Sequence, residues 1–244
     1  MQTVKTFALL RFGRGNAKLG KEIFTFSLPS GFTCPNALEC LSKANRTTGK
    51  IQDGKHTQFR CFSASQEALF PSVRQQRWDN FEALKGLTTE QMASLIFLSI
   101  PTKASKVRVH VGGDFFSQAY FDAWVNVAKR MPDVIFYAYT KSLPYWIARL
   151  DSIPDNLILT ASRGGRKDNL IDQYGLREAR VVFSEDEAEK LGLPIDHDDS
   201  HAYTKGGSFA LLIHGTQPKG SAAGKAKQAL NGVGSYPSKK RGEN

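Results

Sequence analysis

The chain has 244 residues, of which 41% are hydrophobic, and its formal net charge is +10. This length suits one large α/β unit with a sizeable core. No apolar segment approaches the roughly 20 residues that a membrane-spanning helix needs. No secretion signal is recognisable and three cysteines cannot all pair, so the sequence argues against an extracellular disulfide framework. We therefore expect a cytoplasmic protein with reduced thiols and no membrane partner.

The positive charge indicates an anionic partner, and nucleic acid is the first candidate. Half of the charge lies at one end, because residues 218–244 contain six basic residues against Glu243. We expect residues 218–244 to form a basic, flexible tail that is poorly ordered after about Ala226. Residues 1–217 are expected to fold as a single α/β domain, with a cysteine loop at residues 29–62. The sequence leaves the oligomeric state open.

Six short runs rich in β-branched and aromatic residues predict β-strands. Helical patterning separates most of them, and Thr88 followed by Gln91 is typical of a helix start before the apolar run from Met92 to Ile100. Strands that alternate with helices predict a mainly parallel sheet. The predicted strands comprise residues 23–28, 107–111, 134–139, 156–160, 179–183 and 208–213.

The long loop after the first predicted strand holds all three cysteines, Cys34, Cys40 and Cys61, in the spacing Cys-x5-Cys-x20-Cys. In a chain of this kind they are better explained as thiolate ligands than as disulfide partners. One hypothesis is a zinc site completed by His56, since structural zinc sites usually have four protein ligands. The other is a four-iron, four-sulfur (4Fe-4S) cluster held by three thiolates, with one iron open. Incidental thiols are the alternative to both.

Polar residues follow the other predicted strands and are expected to meet at one edge of the sheet, where parallel α/β proteins bind ligands. Gly112 and Gly113 permit close backbone approach to a ligand, although a tight turn explains them equally well. Lys141 and Arg163 are the candidate catalytic residues, because both can bind a carboxylate or phosphate. The candidate cofactor-binding residues are Gly112, Gly113, Asp114, Thr140, Ser162, His214 and Gln217.

Two histidine-containing segments have simpler explanations. His110 lies inside a predicted strand and is expected in the core, hydrogen-bonded to a backbone group. The segment from Asp196 to His201 has carboxylates and imidazoles that suit a divalent metal, but a hydrophilic loop is the preferred interpretation. The aromatic side chains at 115, 116, 120 and 124 are expected to form a helix-face core rather than a base-stacking platform.

Several motifs resemble the phage and plasmid family called gene product eighty-eight. They are residues 15–19, 26–31, Cys34-Pro35-x4-Cys40, 59–62, 110–115, 137–142 and 212–218. The resemblance covers most of the chain up to about Lys225. It implies a protein encoded by a mobile element, and it does not imply a particular activity.

The layout also looks like that of radical S-adenosylmethionine proteins. That resemblance implies a six-stranded, partial TIM-like (β/α)6 barrel, in which Cys34, Cys40 and Cys61 hold a 4Fe-4S cluster. The run Gly112-Gly113-Asp114 stands where those proteins hold the methionine ammonium group. The cysteine spacing departs from the usual Cys-x3-Cys-x2-Cys pattern.

The sequence therefore leads to three functional hypotheses, the last of which is a partner-binding or regulatory protein that binds neither metal nor nucleic acid. The first is an iron–sulfur protein of radical S-adenosylmethionine type, with nucleic acid as a candidate substrate. The second is an accessory protein without catalysis, in which zinc stabilises the cysteine loop and the basic surface and tail bind nucleic acid.

Overall fold

A computed structural model describes residues 8–15 and 19–230 of the chain. Its strands are β1 (Gly13–Arg14), β2 (Ile23–Thr25), β3 (Ser42–Ala44), β4 (Ile51–Asp53), β5 (Lys106–Val109), β6 (Ile135–Thr140), β7 (Leu157–Ser162), β8 (Glu178–Val182) and β9 (Phe209–Leu212). Its helices are α1 (Phe62–Leu69), α2 (Pro71–Leu84), α3 (Thr89–Ser99), α4 (Gln118–Arg130), α5 (Leu143–Ile147), α6 (Asn169–Tyr174), α7 (Glu185–Lys190), α8 (Ser200–Tyr203) and α9 (Ala222–Ala229).

The main sheet contains seven strands in the order β1-β2-β5-β6-β7-β8-β9. All neighbours from β2 to β9 pair in parallel, and β1 pairs with β2 in the antiparallel direction. The six predicted strands and the mainly parallel sheet are confirmed. The predicted six-stranded barrel needs correction, because β1 adds a seventh strand at one edge and the sheet is not closed.

The two faces of the sheet are covered differently. Parallel strands placed side by side in chain order, joined by right-handed crossovers, put their connecting helices on one face. On that face Val107, Val109 and Phe136 form the largest core cluster with α3 and α4, around Trp124. On the opposite face Tyr137 belongs to a smaller cluster that includes Ala202 of α8. The aromatic residues of α4 are therefore core residues, as predicted.

A buried ion pair fastens the segment before α8 to the opposite face of the sheet. Arg108 of β5 donates to Asp199 Oδ2 at 2.6 Å, and the Tyr137 hydroxyl donates to the same oxygen at 3.2 Å. Asp199 is fully buried, and Asp196 is 3% exposed. The prediction of a hydrophilic loop is therefore wrong for these two carboxylates. The sheet surface offers Asp199 a buried cation and a hydroxyl group, and Asp196 Oδ1 accepts from Asp198 N at 3.2 Å.

A β-bulge interrupts the end of β5. Phe26 N donates to Arg108 O at 3.0 Å, but the return bond to Phe26 O comes from Val111 N, at 2.9 Å, so His110 is the extra residue. His110 has a left-handed φ of 71°. Its ring lies in the core, 2.9 Å from the Tyr120 hydroxyl, so the core position is confirmed but the partner is a side chain. Burial lowers the pKa of His110 to about 3.

The ends of two helices in the structure can be compared with the sequence predictions. The Thr88–Gln91 capping box of α3 is present, and α1 begins at Phe62, directly after Cys61.

The stretch predicted as a flexible tail starts with residues 218–230, which contain α9. Residues 231–244, and residues 16–18 of the resemblance motif, lie outside the described residues.

The Arg108–Asp199 pair yields a test of stability. Changing Asp199→Asn keeps the side-chain size and the tolerance of a left-handed backbone, but leaves Arg108 buried without its counter-charge. We expect the free energy of unfolding to fall by about 3–5 kcal/mol in urea titrations. Asp133→Asn, at an exposed position, serves as the control and should leave the unfolding midpoint in place. Equal midpoints for both variants would contradict a structural role for the pair.

Candidate functional site: a pocket lined by three cysteines

One pocket lies at the carboxyl ends of the parallel strands, where α/β folds place ligands. Its volume is about 900 Å³, including its open mouth. Residues from the ends of β5, β6, β7 and β9 form its base and walls, and the cysteine loop covers one side. The predicted site residues that line it are Cys34, Cys40, Cys61, Gly112, Gly113, Asp114, Lys141, Ser162 and His214.

The three cysteines converge on this pocket although 20 residues separate the last two in the sequence. None of them forms a disulfide. The residues between Cys40 and Cys61 form the β3–β4 hairpin, and Gln58 N and Phe59 N donate to Glu39 O at 2.7 and 3.2 Å. This hairpin returns the chain to the place where it left, which brings the distant third thiol back to the other two.

Burial controls the ionisation of these thiols. It raises the pKa of Cys34 well above its ordinary value, and the Asp114 carboxylate and the other two sulfurs raise that pKa further. Burial, followed by the charge of Cys40, raises the pKa of Cys61 to about 11. Burial also raises the pKa of Cys40, against the opposing effect of the Lys141 cation. All three side chains are therefore protonated thiols near neutral pH in the metal-free protein.

A buried carboxylate holds both ends of the cysteine loop. Glu67 Oε1 accepts from Ser30 N at 2.9 Å and from Ser30 Oγ at 2.8 Å, just before Cys34. The same oxygen accepts from Arg77 of α2 at 2.6 Å, in an ion pair that is almost fully buried. Because Glu67 lies on α1, which starts after Cys61, one residue anchors the loop at both ends. Sequence reasoning missed it, since a glutamate on a predicted helix gives no sign of burial.

The segment after β9 supports the third cysteine. Gln217 accepts from Arg60 N at 2.8 Å and donates to Arg60 O at 3.0 Å. His214 lines the pocket, with its ring 4.7 Å from that of Phe62. Gln217 is not among the lining residues and instead positions the backbone beside Cys61.

Gly112 and Gly113 allow the end of β5 to lie against the cysteine loop. A Cβ added at Gly112 would stand 2.3 Å from Ser63 Oγ, and one added at Gly113 would stand 2.5 Å from Thr33 Oγ1. Gly113 also has a φ of 85°, which disfavours other residues. Both glycines are therefore required for packing, and both also border the pocket.

Asp114 joins the ends of two strands. Its carboxylate accepts from Thr140 Oγ1 at 2.6 Å, from Lys141 N at 2.8 Å and from Phe115 N at 2.7 Å. Burial raises the pKa of Asp114, and these hydrogen bonds oppose that effect. Thr140 does not line the pocket and acts through Asp114. The structure therefore gives Asp114 a positioning role that its place after two glycines did not reveal.

The two candidate catalytic cations differ in position. Lys141 lines the pocket, and its ammonium group donates to Ser162 O, Ser162 Oγ and Arg163 O at 2.7, 2.9 and 2.7 Å. An ammonium group has three donors, so these bonds use all of them. Arg163 is not among the lining residues and forms ion pairs with Glu178 and Asp172.

Other residues complete the description of the site. His56 is exposed and is not a lining residue. Within residues 8–15 and 19–230, no group of three His, Cys, Asp or Glu side chains is arranged to hold a metal ion.

Arg108 and Tyr139 line the pocket from the sheet face opposite the helices. Strand alternation places both on that face, and this signal in the sequence was available but not used.

The fold and the site define an open α/β sheet protein with a three-cysteine pocket at the carboxyl edge of its strands. The chain belongs to the family described as Gene product 88, whose model matches residues 8–232. The family expected from the sequence motifs is confirmed.

Two curated relatives come from phages. The Gene 88 protein of Mycobacterium phage D29 is 31% identical over 138 residues, which is 52% of this chain and 50% of that protein. The Gene 88 protein of Mycobacterium phage L5 is also 31% identical over 138 residues, covering 52% of this chain and 51% of the relative. The chain thus spans about half the length of the curated relatives it matches. No solved structure matches it.

Over the described part of the chain, every helix is too short or too polar to cross a membrane.

The loop anchor can be tested by changing Glu67→Gln. This change leaves the Arg77 cation buried without a counter-charge, so we expect the free energy of unfolding to fall by about 3–5 kcal/mol in urea titrations. Glu82→Gln, which removes an exposed carboxylate with cationic partners, should cost less than about 1 kcal/mol. Adding Arg77→Met to the Glu67 variant should recover part of the loss. An unchanged unfolding midpoint for Glu67→Gln would contradict the anchor.

The ionisation of the thiols can be tested by alkylation of the metal-free protein with iodoacetamide. With a pKa of about 11, only about a thousandth of Cys61 is thiolate at pH 8, so its rate should rise about tenfold per pH unit from 8 to 10. Mass spectrometry of the Cys61 peptide gives the rate. The urea-unfolded chain should instead titrate near pH 8.5. A titration midpoint of Cys61 near pH 8.5 in the folded protein would contradict burial of this thiol.

Proposed function

We propose that the protein binds an iron–sulfur cluster through Cys34, Cys40 and Cys61. The observation that carries this proposal is the convergence of three free thiols from a 28-residue stretch of chain on one pocket. A cluster held by three thiolates leaves one iron open to a small molecule. The pocket beside the thiols opens to solvent, so a small molecule can reach that iron.

The arrangement of the donors favours a cluster over a single zinc ion. With Zn–S bonds near 2.3 Å and tetrahedral geometry, zinc ligands lie about 3.8 Å apart. The three thiols supply only three of the four ligands of a structural zinc site, and His56 is exposed and does not line the pocket. A cluster needs only these three thiolates when one iron is left open.

We also propose that S-adenosylmethionine binds in this pocket. A cluster with an open iron would supply one-electron chemistry to it. The chain's own residues would bind, orient and shield it. Gly112 and Gly113 provide a wall that molecules can approach closely. Lys141 favours the thiolate form of Cys40 by its charge, and Gly31 N donates to Cys34 Sγ at 3.3 Å. We assign Lys141 a positioning role, because its donors are used by the protein.

The fold gives limited support to the radical S-adenosylmethionine layout. Six consecutive parallel strands, with the cysteine loop after the first and the Gly-Gly-Asp run after the next, keep the order that the layout requires. A partial barrel curved around the pocket remains part of this proposal. We place the protein in a reducing cytoplasm and regard it as a product of a mobile element, in line with its phage relatives.

The deciding experiment is anaerobic purification followed by metal analysis and absorption spectroscopy. We expect about four irons per chain and a broad band near roughly 400 nm that dithionite bleaches. Cys34→Ala, Cys40→Ala and Cys61→Ala should each lose most of the iron. His56→Ala is the control and should keep it, because His56 lies outside the pocket lining.

Two results would contradict the proposal. Full retention of iron in all three cysteine variants would contradict the assignment of the three cysteines as iron ligands. One zinc per chain, lost on His56→Ala and without a visible band, would instead favour the zinc-stabilised accessory protein.

A further inference from the structure

Three segments that border the pocket carry exposed cations. The turn after β4 carries Lys55, the loop after β7 carries Arg166 and Lys167, and the segment after β9 carries Lys219. Across residues 8–15 and 19–230, none of these four side chains has an ion-pair partner. Each therefore keeps its full charge available to an anion.

Hydrogen bonds fix all three segments to the cysteine loop. Gly54 N donates to Leu41 O at 2.7 Å, next to Cys40, and Arg166 N donates to Asn36 O at 2.9 Å, two residues after Cys34. Gln217 is bonded in both directions to Arg60, next to Cys61. The segments that carry these cations are therefore attached to the cysteine loop beside its lining residues.

The acidic residues of the same border are mostly engaged by the protein. Asp53 pairs with Arg60 at 2.5 Å. Asp168 accepts from Gly164 N and Gly165 N at 2.7 and 2.9 Å. Glu39 adds one half-buried carboxylate against four exposed cations. The border of the pocket is therefore net positive.

The interior of the pocket has a different character from its border. Phe59, Phe62 and Tyr139 line it together with Val181 and Leu211. A cationic border around an aromatic and aliphatic pocket matches single-stranded nucleic acid, whose phosphates bind cations while its bases stack on aromatic rings. A membrane surface has phosphates but no planar group that such a pocket would hold, and duplex bases are already stacked.

We propose that single-stranded nucleic acid binds across the mouth of the cysteine pocket, with its phosphates on Lys55, Arg166, Lys167 and Lys219 and one base in the pocket. This inference deepens the proposed function by naming its substrate class. It requires the pocket and its border but not the identity of the metal. It also places three of the four anion contacts on residues 1–217 and only Lys219 on the stretch from residue 218 onward.

The test uses fluorescence anisotropy with fluorescein-labelled 20-nucleotide single-stranded RNA and DNA over a KCl series. Each lost phosphate contact should reduce the salt slope by about 0.7, or affinity about fivefold at 0.1 M salt. The double variant Lys55→Gln/Lys167→Gln should therefore bind about 25-fold more weakly. The matched control is Lys103→Gln/Lys129→Gln, which removes two exposed lysines at the amino ends of β5 and β6. It should change affinity less than about twofold.

The outcomes separate this inference from the proposed function. Iron content, measured in the same preparations, should be equal in both double variants, so nucleic-acid binding and metal binding succeed or fail independently. Equal losses in the two double variants, or no binding of either oligonucleotide by the wild type, would overturn the proposal. Tighter binding of a 20-base-pair duplex, or of anionic vesicles, would overturn the assignment to a single strand.

Discussion

The cysteine pocket depends on one buried carboxylate, that of Glu67. It joins Ser30, before the first cysteine, to α1, which starts after the third, and it neutralises Arg77 of the neighbouring helix. Burying an ion pair is costly unless hydrogen bonds satisfy it. Ser30 supplies two to Glu67 Oε1, while Oε2 has no hydrogen-bond partner among the described residues. This arrangement closes a long loop whose own contacts are mainly those of a short hairpin. It acts together with the hydrogen bonds that attach Arg166 and Gln217 to the same loop.

Hydrogen bonds to a second buried carboxylate hold the carboxyl ends of the strands together. Asp114 binds Thr140 and the backbone of Lys141, while Lys141 in turn binds the end of β7. Three successive strand ends are thereby fixed in a row beside the thiols. Buried polar networks of this kind specify one geometry when every member is satisfied. Polar residues that the sequence predicted to contact a ligand thus stabilise the strand ends around the pocket. The thiols, the glycine backbone and the aromatic rings are the groups left facing the pocket.

Much of the fold was predictable because it rests on local pattern. The six main strands are apolar runs bounded by turn residues, and the Thr88–Gln91 capping box marks the start of α3 without any tertiary context. The convergence of the cysteines with Gly112, Gly113 and Asp114 followed from the rule that parallel strands end at one edge. The roles of Arg163 and Gln217 did not follow, since partners such as Glu178 and Arg60 are distant in sequence and the side-chain direction depends on packing.

The sequence by itself determined the six main strands, the edge of the sheet that carries polar groups and the family to which the chain belongs. Only the tertiary structure decided which polar residues are buried. Glu67 and Asp199 have the composition of solvated surface, yet cations, hydroxyl or amide groups from distant segments meet them in the interior. Burial of a charge depends on whether a partner arrives from elsewhere in the chain. Periodicity cannot reveal this, because it reports only which face of an element is apolar.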